Sequence, residues 1–156
     1  MAFPLGGLGA GMFCLEGTGA LSHFSLRHKP DVYNEPQVFA ALHVNGRARV
    51  LEGPVPMWKA FGSATGEPGN GLSGRTYGLP RFTGAAFESR FPFATVKFAD
   101  KSVAVELTGW SPFTPGATDD SCLPVAALEY RITNRTSKRV KAVFSFHAAN
   151  FMKVGD

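Results

Sequence analysis

The chain has 156 residues, enough for one domain with its own hydrophobic core, and a formal net charge of +4. Its basic residues are scattered, and the one dense group (Lys138, Arg139 and Lys141) is typical of a solvated turn rather than of a nucleic-acid surface. No apolar run reaches the ~18 residues of a membrane-spanning helix, and the 18 glycines and 11 prolines disfavour long helices.

Two cysteines, Cys14 and Cys122, lie far apart and lack the CxxC spacing of a zinc site or the density of a disulfide scaffold. We therefore expect two free thiols in a reducing compartment. The N-terminus lacks the basic start of a secretory signal, which favours a cytoplasmic protein. A leader removed before Met1 would instead place the protein in the periplasm or outside the cell.

The chain opens on a glycine-rich segment, PLGGLGAGMFCLEGTG, at positions 4–19. Its spacing closes no GxGxxG register, and we predict neither a preceding strand nor a following Lys-Ser/Thr pair, so phosphate binding is disfavoured. Glycine beside a strand more often marks a bulge or a close backbone approach. We expect a structural role and no bound cofactor.

Residues 37–52 predict a hairpin around an Asn-Gly turn at positions 45–46, the strongest short hairpin signal. A strict two-residue turn would place Arg49 opposite Leu42 and mix charged with apolar residues on one face. We expect a wider turn or a bulge to correct this register.

Residues 52–80 are too rich in Gly, Pro and Ser for a regular element and predict a long surface loop. The loop carries Trp58, Phe61 and Tyr77. Such aromatic side chains pack on a partner domain or stack on a sugar ring, and packing on a partner domain is the favoured interpretation. These three are the candidate domain-interface or pocket-rim residues.

Clean alternation of apolar and polar residues follows in two places. Positions 93–98 and 103–107 predict a half-buried antiparallel hairpin, and positions 124–147 predict another around a loop at 134–138. The aromatic residues Phe98, Tyr130, Phe144 and Phe146 are predicted to lie in the core, and Phe144→Ala to cost ~3–5 kcal/mol. The fold class is all-β: one antiparallel β-sandwich of hairpins with long loops over positions 1–156.

Little in the sequence indicates chemistry. Asp119 and Asp120 are adjacent in a loop-like segment, where a structural role in a turn is favoured over catalysis. No GxSxG elbow is present. The Asn134 sequon lies in a predicted loop but lacks a secretory signal. Four histidines lack partners at metal-binding spacing, so we expect no metal site: His23, His28, His43 and His147.

Three segments resemble the N-terminal domain of glycoside hydrolase family 116, the bile-acid-type β-glucosidase and non-lysosomal glucosylceramidase group. They occur in the order found in that family and cover most of the chain. They are PLGGLGAGMFCLEGTGALSHFSLRHKP, GLPRFTGAAFESRFPFATVKFAD and LTGWSPFTPGATDDSCLPVAALEYRITN.

The resemblance implies a β-sandwich that packs against a C-terminal (α/α)6 barrel, in an enzyme that hydrolyses β-linked glucosides or glycolipids with retention. The catalytic carboxyl pair of the family belongs to the barrel, which is absent from this chain. We therefore assign no catalytic residue, and we expect an incomplete sandwich that is inactive alone and meets the substrate only indirectly.

Two alternatives stay open. One is a free-standing carbohydrate-binding sandwich, for which Trp58 and Trp110 are available to stack on sugars. The other is the support sandwich of a different (α/α)6 carbohydrate enzyme. The aromatic residues of the predicted strands favour the support domain over a carbohydrate-binding module. They fall on the apolar face rather than in an exposed row that could stack on sugars.

Overall fold

The computed structural model describes residues 1–32, 34–57, 59 and 76–153. Within these ranges the chain forms short strands and a one-turn helix, and no helix there is long and apolar enough to span a membrane. The elements are β1 (Ala2–Leu5), β2 (Met12–Glu16), β3 (Leu21–Ser25), β4 (Val38–Val44), β5 (Arg47–Val50), β6 (Ala86–Arg90), β7 (Phe93–Ala99), β8 (Val103–Trp110), α1 (Thr118–Ser121), β9 (Ala127–Asn134) and β10 (Ala142–Ala148).

The strands form three antiparallel sheets, with the orders β1-β2-β3, β10-β4-β5 and β6-β7-β8-β9. The predicted all-β sandwich is confirmed. Inward-facing residues of β4 share one core with alternate residues of β7 and β8, and Leu5 and Leu15 of the β1-β2-β3 sheet join it. Each fully buried side chain of this kind stabilises the fold by roughly 1.5–3 kcal/mol.

The β4–β5 hairpin has the predicted two-residue turn, with φ of 50° and 78° at its Asn-Gly pair. Our expectation of a correcting bulge is wrong, because Leu42 pairs directly with Arg49. The Arg49 guanidinium lies 4.7 Å from the centroid of the Phe82 ring and 2.6 Å from a carboxylate oxygen of Asp100. The mixed face is tolerated because the arginine has both an aromatic and an anionic partner.

The predicted hairpin at positions 124–147 is also wrong. β9 pairs with β8, whereas β10 pairs with β4 in a different sheet, so residues 135–141 cross from the four-stranded sheet to the β10-β4-β5 sheet. Phe98 is 1% exposed, as predicted for a core residue, but Phe144 is 43% exposed and Phe146 is 48% exposed. The alternation of apolar and polar residues predicted correctly which side chains of β10 face inward. It did not predict which strand pairs with β10 or how deeply these side chains are buried.

The glycine-rich segment includes the end of β1, a strand that we did not predict, and the whole of β2. Its glycines at positions 6–11 join these two antiparallel strands and lead into no helix, so the segment lacks the strand–loop–helix arrangement of a phosphate site. A Cβ atom on Gly7 would lie 2.2 Å from the carbonyl oxygen of Leu123, closer than any side chain permits. The close backbone approach expected of these glycines is therefore observed.

Candidate functional site

The candidate interface residues divide into two groups. Trp58 and Phe61 lie outside the described residues. Tyr77 is half-buried, and its hydroxyl donates a 2.9 Å hydrogen bond to Glu35 Oε2. Tyr77 is thus part of a polar cluster within the domain, and a role for the three residues at a domain interface or pocket rim stays a prediction.

The centre of this polar cluster is Lys59, which is only 5% exposed. Its Nζ donates to Glu16 Oε1 at 2.6 Å and also to Glu35 Oε1. Glu16 ends β2, Glu35 lies just before β4, and Lys59 follows β5. One buried ammonium therefore connects three segments that are distant in sequence. We name Glu16, Glu35, Lys59 and Tyr77 the lysine cluster.

The lysine cluster was missed at the sequence level because its members are separated by up to 61 positions and form no local motif. The only available signal was an acidic residue, Glu16, at the end of the apolar run MFCL. Its chemistry is that of a structural ion pair, since the cation lies between the two carboxylates and satisfies both.

A second polar cluster joins the two sides of the long loop. Arg81 donates to Glu52 Oε2 at 2.7 Å and to the Thr76 carbonyl at 2.5 Å. Burial raises the pKa of Glu52 above its ordinary value, and the Arg81 charge opposes this effect without cancelling it. Each buried carboxylate in the described ranges, Glu16 and Glu52, thus contacts a cation.

An apolar cleft of about 610 Å³ lies between the glycine-rich loop and three neighbouring segments, which include Pro30, Pro92 and Pro112. Large apolar side chains stay exposed at its rim, among them Leu8 and Phe91. This volume falls within the range of small-molecule and interface pockets, ~300–1,000 Å³. Exposed apolar surface of this kind is typical of an interaction site.

A strained turn borders the apolar cleft. Arg27 and His28 have φ of 56° and 58°, and the Lys29 N–H donates to the Leu26 carbonyl at 3.1 Å, which makes a type I′ turn without glycine. Left-handed conformations at such residues cost about 1–2 kcal/mol each. The turn places His28 and Lys29 in the cleft lining, and the Arg27 side chain anchors it on the Met152 carbonyl at 2.7 Å.

The sandwich is open on one side, where β9 is the outermost strand of the four-stranded sheet and β10 is the outermost strand of the β10-β4-β5 sheet. The Tyr130 and Phe144 rings contact each other there, with centroids 5.2 Å apart. Ile132, Phe144 and Phe146 are more than one third exposed although they lie on inward faces. We name this region the β9–β10 opening.

The remaining candidates give no reactive geometry. Asp119 and Asp120 are exposed in α1, and their structural role in a turn stays a prediction. In the part of the chain that the structure describes, no three His, Cys, Asp or Glu residues form a potential metal site. His23 bonds to Ser22 Oγ at 2.5 Å, and the ring of His147 stacks on Phe39.

The fold and these surfaces define an antiparallel sandwich domain with exposed apolar surfaces. A family model described as beta-glucosidase 2, glycosyl-hydrolase family 116 N-term matches residues 2–155. The chain therefore belongs to the N-terminal domain family of glycosyl hydrolase family 116, as the sequence resemblance indicated. Comparison with curated protein sequences gave no significant match.

Proposed function

We propose that this chain is the non-catalytic support sandwich of a retaining β-glucosidase-type glycoside hydrolase. The observation that carries the proposal is the family match over residues 2–155. In this proposal the catalytic carboxyl pair belongs to a separate (α/α)6 domain, and the substrates are β-linked glucosides, including glucosylceramide-type glycolipids. The domain itself operates in a reducing, cytoplasmic environment, which suits its two free cysteines.

The carboxylate geometry supports a non-catalytic role. Retaining glycosidases hold two carboxyl groups ~5 Å apart, with the scissile bond between them. Glu16 and Glu35 do approach each other, but the Lys59 ammonium fills the space between them. Asp119 and Asp120 are neighbours on an exposed helical turn, and neither residue lines the apolar cleft.

The exposed surfaces support a partner. The apolar cleft and the β9–β10 opening leave large side chains in water, including Leu8, Phe91 and Phe146. Covering such groups is favourable by about 25 cal/mol per Å² of apolar area. A catalytic barrel that packs on one of these surfaces would be stabilised by the contact. This stabilisation of the barrel is the support function that we propose for the sandwich.

The test is an activity assay. The purified chain should release no aryl alcohol from an aryl β-glucoside above background. Glu35→Gln, Asp119→Asn and Asp120→Asn are the matched control variants, because each removes one carboxylate that the chain could use. Turnover by the parent chain that one of these variants abolishes would contradict the proposal.

One observation favours a second candidate, a carbohydrate-binding module. Phe93 and Trp110 are cross-strand partners on the outer face of the β7–β8 pair, both exposed, with ring centroids 6.4 Å apart. Exposed aromatic pairs can stack on sugar rings. Retardation of the chain in a gel containing a soluble β-glucan, lost in Trp110→Ala, would support this candidate over the support domain.

A further inference from the structure

The outermost strands of the three sheets differ in how they are protected against pairing with other chains. Natural edge strands carry prolines, charges or irregularities that prevent such pairing. The β3 edge is covered by Asn34, which bonds to both backbone groups of Phe24. Other edges carry Pro4 in β1, Arg47 and Arg49 in β5, Glu88 and Arg90 in β6, and Glu129 and Arg131 in β9.

β10 lacks these devices. Its sequence, AVFSFHA, contains no proline and no Lys, Arg, Asp or Glu, and its pairing with β4 is regular over seven residues. It is the one sheet edge in the described ranges with neither a charged residue, a proline nor a covering side chain. A regular, uncharged and largely apolar edge is a template for another strand.

The hydrogen-bond register shows which backbone groups of β10 are free to pair. The Ala149 N–H donates to the Gln37 carbonyl at 2.7 Å, at the end of the β4–β10 ladder. Because bonding alternates along an antiparallel pair, the odd-numbered residues of β10 bond to β4. The N–H and C=O groups of Phe144 and Phe146 therefore point away from β4, toward the free edge.

The side chains of the same two residues also need a cover. Phe144 lies opposite Leu42 in the ladder, and Phe146 lies opposite Ala40. Leu42 and Ala40 are buried core residues, so both phenylalanines face the interior side of the sheet, yet both are nearly half exposed. A strand added at this edge would pair their backbone groups and cover their rings together.

We propose that the free edge of β10 is a strand-acceptor site, which β10 of a second copy of this chain fills in antiparallel orientation. β10 itself has the chemistry that the site requires: apolar residues on one face, free backbone groups at the edge and no charge. Two-fold pairing of β10 opposes no like charges, whereas pairing of two β5 strands would bring arginines together. This inference does not depend on the proposed enzyme.

The test is sedimentation equilibrium of the 156-residue chain over a range of concentrations, with amide hydrogen exchange. We expect a reversible dimer in which the amides of Phe144 and Phe146 gain protection. Phe146→Lys places a charge on the inward face of the edge and should weaken the dimer roughly 10- to 100-fold. The control Leu8→Lys adds the same charge at the apolar cleft and should change the dissociation constant less than about twofold.

A second variant keeps the test decisive if Phe146→Lys does not fold. The N–H of Ala148 points to the free edge, so Ala148→Pro leaves the bonds to β4 intact but blocks the incoming strand. Near-ultraviolet circular dichroism checks that each variant is folded. A strictly monomeric chain would overturn the proposal. Equal weakening by Leu8→Lys, or protection gained in β9 instead of β10, would also overturn it.

Discussion

The substitution Lys59→Met tests the lysine cluster most directly. It keeps the length and apolar stem of the side chain but removes the ammonium that contacts Glu16 and Glu35. Two carboxylates would then face each other with no cation between them, one of them (Glu16) buried and the other (Glu35) half-buried. Removing one partner of a buried ion pair typically costs about 3–5 kcal/mol, a large fraction of the 5–15 kcal/mol that stabilises a domain.

The assay is urea denaturation followed by intrinsic fluorescence, which gives the free energy of unfolding for parent and variant. The matched control is Lys97→Met, because Lys97 is exposed and contacts Glu88 and Glu106 only at 3.8 and 3.9 Å. The control should lose less than about 1 kcal/mol. If Lys59→Met costs no more than Lys97→Met, the lysine cluster does not stabilise the fold and our interpretation of it is wrong.

Two further substitutions test the core and the β7–β8 turn. Burial disfavours the Asp100 charge, but hydrogen bonds from the N–H groups of Val103 and Ser102 outweigh it and lower the pKa of Asp100 to about 2. Since the folded pKa lies below the unfolded one, this stabilisation is present at neutral pH and is lost as the pH falls from about 4 to 2. Asp100→Asn should thus lower the free energy of unfolding by about 1 kcal/mol at pH 7, after allowance for solvent screening. Urea titrations at several pH values should show that the difference between parent and variant disappears as the pH falls from about 4 to 2. Phe98→Ala should lower the free energy of unfolding by ~3–5 kcal/mol, because Phe98 is fully buried. Phe144→Ala should lower it by only about half as much, because Phe144 is half-exposed. Equal losses for the two variants in thermal or urea unfolding would contradict the open edge at β10.

Local signals in the sequence predicted local structure well. The Asn-Gly turn of β4–β5 follows from two residues that tolerate positive φ, and the β7–β8 hairpin follows from a short turn between alternating runs. In both cases the partner strand lies within a few residues, so the turn itself specifies the pairing.

The partner of β10 could not be predicted in the same way. Alternation shows which side chains face inward, but it carries no information about which strand lies alongside. Arg49 was misjudged for a related reason: its partners, Phe82 and Asp100, come from separate segments of the chain. The lysine cluster likewise depends on contacts between distant segments that no spacing rule connects.

The long-range pairing of β10 with β4 has a consequence for synthesis on the ribosome. Val38 and Ala148, which are opposite each other in the ladder, are separated by 110 positions. At about 5–20 residues per second, β4 waits roughly 5–20 s for this partner. Until then β4 keeps an unpaired edge of its own, beside side chains that become core, so the nascent hairpin is the segment where a chaperone or a wrong strand would bind first.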